Sequence, residues 1–158
     1  MPNIDLKKIE KDKHRIVPAS YLVLMRDNKV LMLKRFNTGF YDGYYSVVAG
    51  HKESLETFKQ CLAREAKEEA NIMLNTKDMD VIHVMNRYES DDPFELRDRI
   101  DVFLAVKKWK GQIKNLEPSK CDDLKWFSLD KLPANTIPSI KHALKSINKG
   151  IFYSEFGW

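Results

Sequence analysis

The chain has 158 residues, of which 43% are hydrophobic and 32% are charged. This length suits one domain with a substantial core, and the composition is typical of a globular protein rather than of a disordered one. The net charge of +4 is too small to indicate binding to nucleic acid, and no apolar run is long enough for a membrane span. We therefore expect neither a nucleic-acid partner nor a membrane.

The two cysteines, Cys61 and Cys121, form no C-x-x-C motif and are too few for a disulfide framework. The first residues are charged and lack the apolar core of a signal peptide. We therefore expect reduced thiols and a cytoplasmic location.

The first predicted elements are the two strands of a β-hairpin. Residues 17–25 are rich in apolar and β-branched side chains, and residues 30–34 form a second strand-like run. Asp27 and Asn28 lie between the two runs and are a turn signal. The hairpin therefore leads the chain directly into the loop that follows.

That loop, residues 36–43, contains three aromatic residues and two glycines. Phe36 and its aromatic neighbours could pack against a planar ring, and the guanidinium of Arg35 matches the geometry of a phosphate. We take Arg35 and Phe36 as candidate substrate contacts. A simple turn with partly buried aromatics and an exposed Arg at the strand end would explain the same residues.

Residues 44–48 predict a third strand, after which Ala49 and Gly50 turn the chain toward a helix. From residue 55 to residue 70 there is neither Gly nor Pro, and good helix formers dominate. We predict Ser54 as the N-cap of this helix. Its apolar stripe, which should face the core, consists of Leu55, Phe58, Leu62 and Ala66.

A second stripe of the same helix is acidic. Glu65, Glu68 and Glu69 have the spacing that places side chains on one helix surface. Their mutual repulsion opposes folding, and Arg64, which can reach Glu68, cannot neutralise all three. A set of oxygen ligands indicates Mg2+ or Mn2+ rather than zinc. A solvated acidic face is the alternative, and these carboxylates alone do not exclude it.

Two further strands are predicted over residues 81–88 and 100–106, with Tyr88 at the end of the first. Between them lies a charged loop, residues 89–99, that could border a substrate but that we interpret as a solvated rim. Glu117 lies in a later loop, where it is either a further acidic ligand or a surface residue.

The C-terminal part predicts a closing helix over residues 137–147, with Ile140 and Leu144 facing the core. Asn135 precedes this helix, and its amide could pair with a base or cap the helix. The aromatic tail, residues 151–158, predicts packing on the sheet or on a partner subunit. A monomer and a homodimer both fit this pattern.

The stretch from Gly50 to Ile72 resembles the Nudix box, G-x5-E-x7-R-E-U-x-E-E-x-G-U, in which U is a bulky apolar residue. Asn71 replaces the second glycine, and Asn tolerates left-handed backbone better than other residues with a side chain. Ala66 is small for its apolar position. The similarity to MutT-type members covers about residues 20–130. The matching positions are Gly50, Glu56, Arg64, Glu65, Glu68, Glu69 and Ile72.

This resemblance implies an α/β fold, the Nudix-type α/β/α sandwich with a mixed β-sheet between helices. We expect a single domain over residues 1–158, with its core at about residues 16–150. An N-terminal extension, residues 1–15, would precede this core, and the aromatic tail over residues 151–158 would follow it.

The resemblance also implies a metal site. Glu65, Glu68 and Glu69 would bind Mg2+ or Mn2+ together with a backbone carbonyl of Ala49 or Gly50. Any one of the three glutamates could instead serve as the general base.

Around this centre, the resemblance gives roles to other residues. Arg64 would orient the carboxylates, and Glu56, placed early on the helix, would pair with Arg64. Glu117 would be a fourth acidic ligand. Asn135 lies where MutT-type enzymes read a purine, and Tyr88 lies near the position of a tyrosine in dinucleoside polyphosphate enzymes, although packing would explain Tyr88 as well.

The implied activity is hydrolysis of a nucleoside diphosphate linked to another group. A nucleoside triphosphate, including oxidised forms, is the preferred substrate, and it would give the monophosphate and pyrophosphate. A dinucleoside polyphosphate or ADP-ribose is the closest enzymatic alternative. A Nudix-like module that binds a nucleotide without cleaving it is the alternative of another class, and the intact acidic positions disfavour it.

Overall fold

A computed structural model describes residues 14–95 and 97–158 of the chain. Most of the predicted N-terminal extension, residues 1–13, lies outside the described residues. The described parts contain two α-helices, α1 (Phe58–Ala70) and α2 (Pro138–Asn148), and a short 3-10 helix, Thr76–Asp78. Their strands are β1 (Val17–Arg26), β2 (Lys29–Arg35), β3 (Tyr45–Ser46), β4 (Ala49–His51), β5 (Met79–Tyr88), β6 (Asp98–Val106), β7 (Cys121–Ser128) and β8 (Tyr153–Phe156).

Strand β1 organises the sheet because it pairs along both of its edges. One edge runs parallel to β6, and the other pairs antiparallel with β4 and then with β2. The order across the sheet is β3-β2-β1-β6-β5-β8, with β7 also paired to β2. Asp27 and Asn28, both with positive φ, make the two-residue turn that joins β1 to β2. Both the mixed sheet and the predicted hairpin are therefore confirmed.

The sheet is buried on both faces, as the α/β/α sandwich requires. Successive side chains of a strand point to opposite faces, and β1 uses this alternation fully. Tyr21 and Val23 pack in the core that contains residues of α2. Leu22 and Leu24 pack in the core that contains residues of α1. The two helices therefore cover opposite faces of one sheet.

The predicted start of helix α1 is wrong. The helix begins at Phe58, with Thr57 as its N-cap, and not at Leu55 after a Ser54 cap. Thr57 and Gln60 form a capping box, in which each side chain binds the backbone N–H of the other. Leu55 lies in the preceding turn with φ of 65°, and its side chain is fully exposed. The apolar stripe thus lacks Leu55, because the capping box fixes the first turn three residues later.

The helix ends as predicted. Asn71 is the C-cap in the left-handed conformation with φ of 60°, and its backbone N–H donates to the carbonyl of Ala66. Ala66 itself is completely buried. A small side chain therefore suffices at this position of the box, because the helix lies close to the core there.

Two strand predictions need correction. Ala49 and Gly50 do not form a turn but belong to β4, where they pair with Tyr21 and Ser20 of β1. The sequence did not predict β7 as a strand, although it pairs with β2 along the whole length of β2.

The aromatic tail packs on the sheet, as predicted. Strand β8 runs parallel to β5, and buried His83 of β5 donates from Nδ1 to the carbonyl of Ile151 over 2.8 Å. The indole of Trp158 donates to the carbonyl of Asn86 over 3.1 Å. Neither of the two helices in the described parts of the chain is both long and apolar enough to cross a membrane.

The capping box gives a testable prediction. Thr57→Ala should lower the melting temperature by about 3 °C, because loss of an N-cap side chain costs about 1 kcal/mol. Ser54→Ala is the matched control and should leave the melting temperature unchanged, since Ser54 lies in the turn before the helix. Thermal unfolding followed by circular dichroism measures both. An equal decrease in the two variants would show that the helix starts earlier than Phe58.

Candidate active site

The acidic side of α1 lies directly against strand β4. A Cβ atom added to Gly50 would overlap the carboxylate of Glu65. Only glycine therefore allows the helix carboxylate to stand this close to the strand. Any side chain at position 50 would displace the Glu65 carboxylate from its place beside the strand.

Arg64 is the counter-ion of three glutamates, Glu56, Glu65 and Glu68. It binds Glu56 twice, from Nη2 over 2.9 Å and from Nε over 3.2 Å, so the predicted pair is present. Its Nη1 lies 2.6 Å from Glu65 and 3.6 Å from Glu68. The hydrogen bonds from Arg64 lower the pKa of Glu56 to about 2. Glu56 precedes the helix instead of lying on it, and a folded-back loop brings it to Arg64.

Within residues 14–95 and 97–158, Glu69 forms no salt bridge. Burial, together with the charges of Glu65 and Glu117, raises the pKa of Glu69 to about 8, although the charge of Arg35 lowers it. Its Oε2 is buried and makes no hydrogen bond, although the backbone N–H of Ala49 donates to the carboxylate. A buried carboxylate oxygen without a partner is costly. This is the atom that a bound cation would satisfy.

The donor atoms fit a hard divalent cation. Such ions prefer oxygen ligands, and Glu65, Glu68, Glu69 and Glu117 offer only carboxylate oxygens. Across residues 14–95 and 97–158, no three acidic, His or Cys side chains are already grouped so that they could hold a metal ion. In this arrangement an oxygen of Glu65 faces Arg64.

The backbone positions predicted as ligands lie at the same place. Ala49 and Gly50 line a cavity together with Glu69. The carbonyl of Gly50 faces the thiol of Cys61 at 3.5 Å, and Ala49 contacts Glu69 through its N–H. A carbonyl ligand from either residue remains a prediction.

The cavity beside Glu69 has a volume of about 300 Å³. Arg35 lines it and donates to the carbonyl of Phe40 over 2.7 Å and to the hydroxyl of Thr38 over 2.9 Å. Burial lowers the pKa of the Arg35 guanidinium. Phe40 also lines the cavity, whereas Phe36 is 49% exposed and does not. Arg35 thus shapes the aromatic loop, and Phe40 stands where Phe36 was expected.

The floor of the cavity holds two buried arginines that the sequence analysis missed. Arg87 binds Asp101 over 2.6 Å and Glu89 over 2.9 Å. Arg99 binds Asp92 over 2.7 Å, and its Nη1 lies 3.2 Å from Nε2 of His51. All of the charged side chains in these pairs are buried.

The interpretation of the loop over residues 89–99 as a solvated rim is therefore wrong for two of its acids. Glu89 and Asp92 are buried because they neutralise Arg87 and Arg99. The alternation of side-chain direction along a strand could have predicted that Arg87 is buried. Arg87 is two residues from buried Met85 and therefore points to the same face of the sheet.

Asn135 and Tyr88 lie outside this cavity. The amide of Asn135 donates to the carbonyl of Gly43 over 2.7 Å, so it fastens the aromatic loop. It does not cap α2, whose N-cap is Ile137 without a side-chain hydrogen bond. The ring of Tyr88 packs against Trp158, with 5.3 Å between ring centroids. Tyr88 therefore makes a packing contact in the structure, as the second explanation of this residue proposed.

Glu117 lies in a loop on the other side of Glu69. It lines a second cavity together with Glu69 and Arg35, and Lys120 lies 3.4 Å from its carboxylate. The structure thus brings Glu69 and Glu117 together with Arg35, whereas Glu56, Glu65 and Glu68 are grouped around Arg64.

The protein is an α/β/α sandwich. Its acidic helix α1 lies beside a cavity that is lined by the buried arginines Arg87 and Arg99. Residues 15–147 match the family described as NUDIX domain. The chain therefore belongs to the NUDIX domain family.

Comparison with individual proteins gives both sequence and structural relatives. The chain is 32% identical over 121 residues to the NAD-capped RNA hydrolase NudC of Vibrio atlanticus, covering 75% of the chain but only 40% of that relative. It is 28% identical over 129 residues to the ADP-ribose pyrophosphatase of Methanocaldococcus jannaschii, covering 82% of the chain and 71% of that protein. The chain thus spans about two fifths of the NudC relative.

The solved structures establish the fold. The MutT NUDIX hydrolase from Burkholderia pseudomallei matches with a TM-score of 0.74 and 21% identity, over 84% of this chain and 98% of that one. The E. coli ORF135 protein matches with a TM-score of 0.71 and 20% identity, over 85% and 90% of the two chains. The predicted α/β/α sandwich is therefore confirmed.

The buried ion pairs give a second prediction. Asp101→Asn should lower the free energy of unfolding by about 3 kcal/mol, because it leaves a buried guanidinium incompletely neutralised. Asp122→Asn is the control, since Asp122 pairs with Lys34 on the surface and such pairs contribute at most about 1 kcal/mol. Urea unfolding measures both. If the two variants lose the same stability, the buried pair does not support the cavity floor.

Proposed function

We propose that this protein hydrolyses the diphosphate bond of a nucleoside diphosphate linked to another group, with Mg2+ or Mn2+ held by Glu65, Glu68 and Glu69. The observation that carries the proposal is the buried Oε2 of Glu69, which makes no hydrogen bond and belongs to a carboxylate lining the cavity. A backbone carbonyl of Ala49 or Gly50 and the carboxylate of Glu117 complete the proposed set of ligands.

A divalent cation bound there would make a water molecule more acidic and would screen the phosphate charge. The chain's own residues perform the other tasks. Arg64 holds Glu56, Glu65 and Glu68 in a fixed arrangement. One of Glu65, Glu68 and Glu69 serves as the general base instead of as a ligand and accepts the proton of the attacking water. Arg35, anchored to the aromatic loop, presents positive charge beside Glu69.

The position of Asn135 changes the order of the candidate substrates. The preference for a nucleoside triphosphate depended mostly on Asn135 as a reader of the base and on the MutT-like sequence before the box. The amide of Asn135, however, donates to Gly43 outside the cavity. We therefore place ADP-ribose and related compounds, in which the diphosphate joins two organic groups, ahead of nucleoside triphosphates. The ADP-ribose pyrophosphatase similar to this chain over 82% of its length supports this order.

The first test is turnover across a substrate panel with Mg2+, measured by chromatography of the products. The panel contains ADP-ribose, NAD, NAD-capped RNA, dinucleoside polyphosphates and nucleoside triphosphates. We expect kcat/KM for ADP-ribose to exceed that for any nucleoside triphosphate by about tenfold or more, with AMP and ribose 5-phosphate as the products.

The other outcomes of this panel are equally informative. Faster cleavage of a nucleoside triphosphate than of ADP-ribose would make nucleoside triphosphates the preferred substrates, as the sequence alone suggested. Nucleotide binding without turnover of any compound would contradict the enzyme proposal and favour the sensing module.

The metal ligands give a further prediction. Glu68→Gln and Glu69→Gln should each lower kcat/KM about a hundredfold or more, because they keep the shape of the side chain but remove the charge that holds the cation. Both should also reduce the rise in melting temperature that Mg2+ causes. Without Mg2+, Glu69→Gln should not melt at a lower temperature than the wild type, because it removes repulsion.

Glu53→Gln is the matched control for these variants. Glu53 lies close to Arg64, at 3.9 Å, but its side chain is 70% exposed. It should keep both the turnover and the Mg2+-induced rise in melting temperature. Wild-type behaviour of Glu68→Gln and Glu69→Gln would refute the metal assignment.

A further inference from the structure

The aromatic tail, residues 151–158, packs against the strand that carries part of the cavity floor. Its strand β8 pairs with the second half of β5, whose Arg87 lines the first cavity. Beyond β8, the ring of Trp158 packs on Tyr88, which lies between Arg87 and its partner Glu89 in the sequence. The aromatic tail therefore supports the cavity floor without lining the cavity.

Two histidines connect the aromatic tail to the rest of the protein. His83 of β5 is completely buried, and both of its ring nitrogens are used. Its Nδ1 donates to the carbonyl of Ile151, and its Nε2 accepts from the hydroxyl of Ser154 over 2.9 Å. His142 of α2 packs its ring against Phe156, with 5.4 Å between ring centroids. The Nε2 atom of His142 is buried and makes no hydrogen bond.

We infer that the aromatic tail is a pH-sensitive latch, which supports the cavity floor while His83 and His142 are neutral and detaches when they take up protons. The inference goes beyond the proposed reaction, because it concerns the attachment of a segment outside the cavity. It holds for any substrate that the site cleaves.

The surroundings of His83 offer no unpaired acid to balance a positive charge. In the part of the chain that the structure describes, His14 is the only histidine in a salt bridge. His83 faces the ring of Phe103 on β6. Asp101, two residues before Phe103 and on the same face of the sheet, binds Arg87 over 2.6 Å. A proton on His83 would therefore place an uncompensated charge in the core.

Strand β8 and helix α2, whose residues are all described, bring no acid to this contact either. On β8, Glu155 points to the face opposite Ser154, where it accepts a hydrogen bond from Tyr153 over 3.1 Å. On α2, Lys145 lies one turn after His142 and would repel a second positive charge. Protonation of the histidines therefore opposes the attachment of the aromatic tail.

The direction of the pH effect follows from burial. Burial lowers the pKa of His83, the hydrogen bond to the carbonyl of Ile151 opposes this change, and the charge of a protonated His142 adds to it. When the aromatic tail is released, His83 regains its ordinary pKa of about 6.5. Attachment is therefore most favourable above about pH 6.5 and weakens as the pH falls below that value.

His142→Phe is the variant that tests the latch. Since Nε2 of His142 has no partner, a phenylalanine ring keeps the contact with Phe156 and removes the site of protonation. The pH at which the aromatic tail detaches should fall by about half a unit or more, because His83 loses a charged neighbour. His14→Gln is the matched control and should leave this pH unchanged, since His14 is 71% exposed and binds Asp98 instead of the aromatic tail.

The experiment follows the indole N–H of Trp158 in NMR spectra of the full chain, recorded from about pH 7.5 to about pH 5. In the wild type, the nuclear Overhauser effect between the rings of Trp158 and Tyr88 should disappear below about pH 6.5. The indole signals of Trp109 and Trp126, which pack against each other, should stay unchanged and so exclude unfolding of the whole protein.

Hydrogen exchange in the same samples reports on the cavity floor. The backbone N–H of Glu89 donates to the carbonyl of Arg97 over 2.9 Å. Release of the aromatic tail should lower the protection of this N–H about tenfold or more, relative to its intrinsic exchange rate at each pH. The backbone N–H of Phe36, which donates to the carbonyl of Lys120 over 2.8 Å, should keep its protection.

Four results would overturn the inference. They are a Trp158 signal that does not change in the wild type, a simultaneous change of all three indole signals, an equal release pH in His142→Phe and the wild type, and unchanged protection of Glu89 after release. A lower release pH in His14→Gln would place the pH response at the surface and would overturn it as well. None of these results bears on the proposed hydrolysis, which the substrate panel tests.

Discussion

The close approach of α1 to β4 is the constraint on which the rest of the site depends. Glu65 stands where a Cβ on Gly50 would be, so glycine leaves room for this carboxylate beside the strand. The two cores fix the same geometry from outside, because β1 packs toward α1 and α2 on its two faces. The backbone position of each carboxylate on α1 therefore follows from packing on the sheet, whereas Glu56 and Glu117 lie in loops.

This rigidity creates an electrostatic asymmetry along the helix. On one side, Arg64 neutralises Glu56 and reaches Glu65 and Glu68. On the other side, Glu69 is buried beside Glu65 and Glu117, and one of its oxygens has no partner. A protein selected for stability alone would replace such a carboxylate, since a buried unpaired acid opposes folding. Its presence at a cavity wall therefore indicates a function.

The sequence predicted the parts of the structure that local geometry determines. The positions of Arg64, Glu65 and Glu69 relative to one another follow from the helix repeat, and Asn71 ended the helix through its tolerance of the left-handed conformation. The start of the helix was missed because Ser54 and Thr57 both suit an N-cap, and only the pairing of Thr57 with Gln60 distinguishes them. The arginine floor was missed for another reason. Arg99 and His51 are 48 residues apart, and strand pairing, which the spacing of residues does not encode, brings them together.

Arg35 connects the two halves of the site. It ends β2, so the sheet fixes its backbone, while its guanidinium is tied to the aromatic loop through Thr38 and Phe40. Because Arg35 and Glu69 line both cavities, one positive and one negative charge stand where the two spaces meet. A diphosphate bound at that point would meet the guanidinium of Arg35, and a divalent cation held by Glu69 would screen its negative charge.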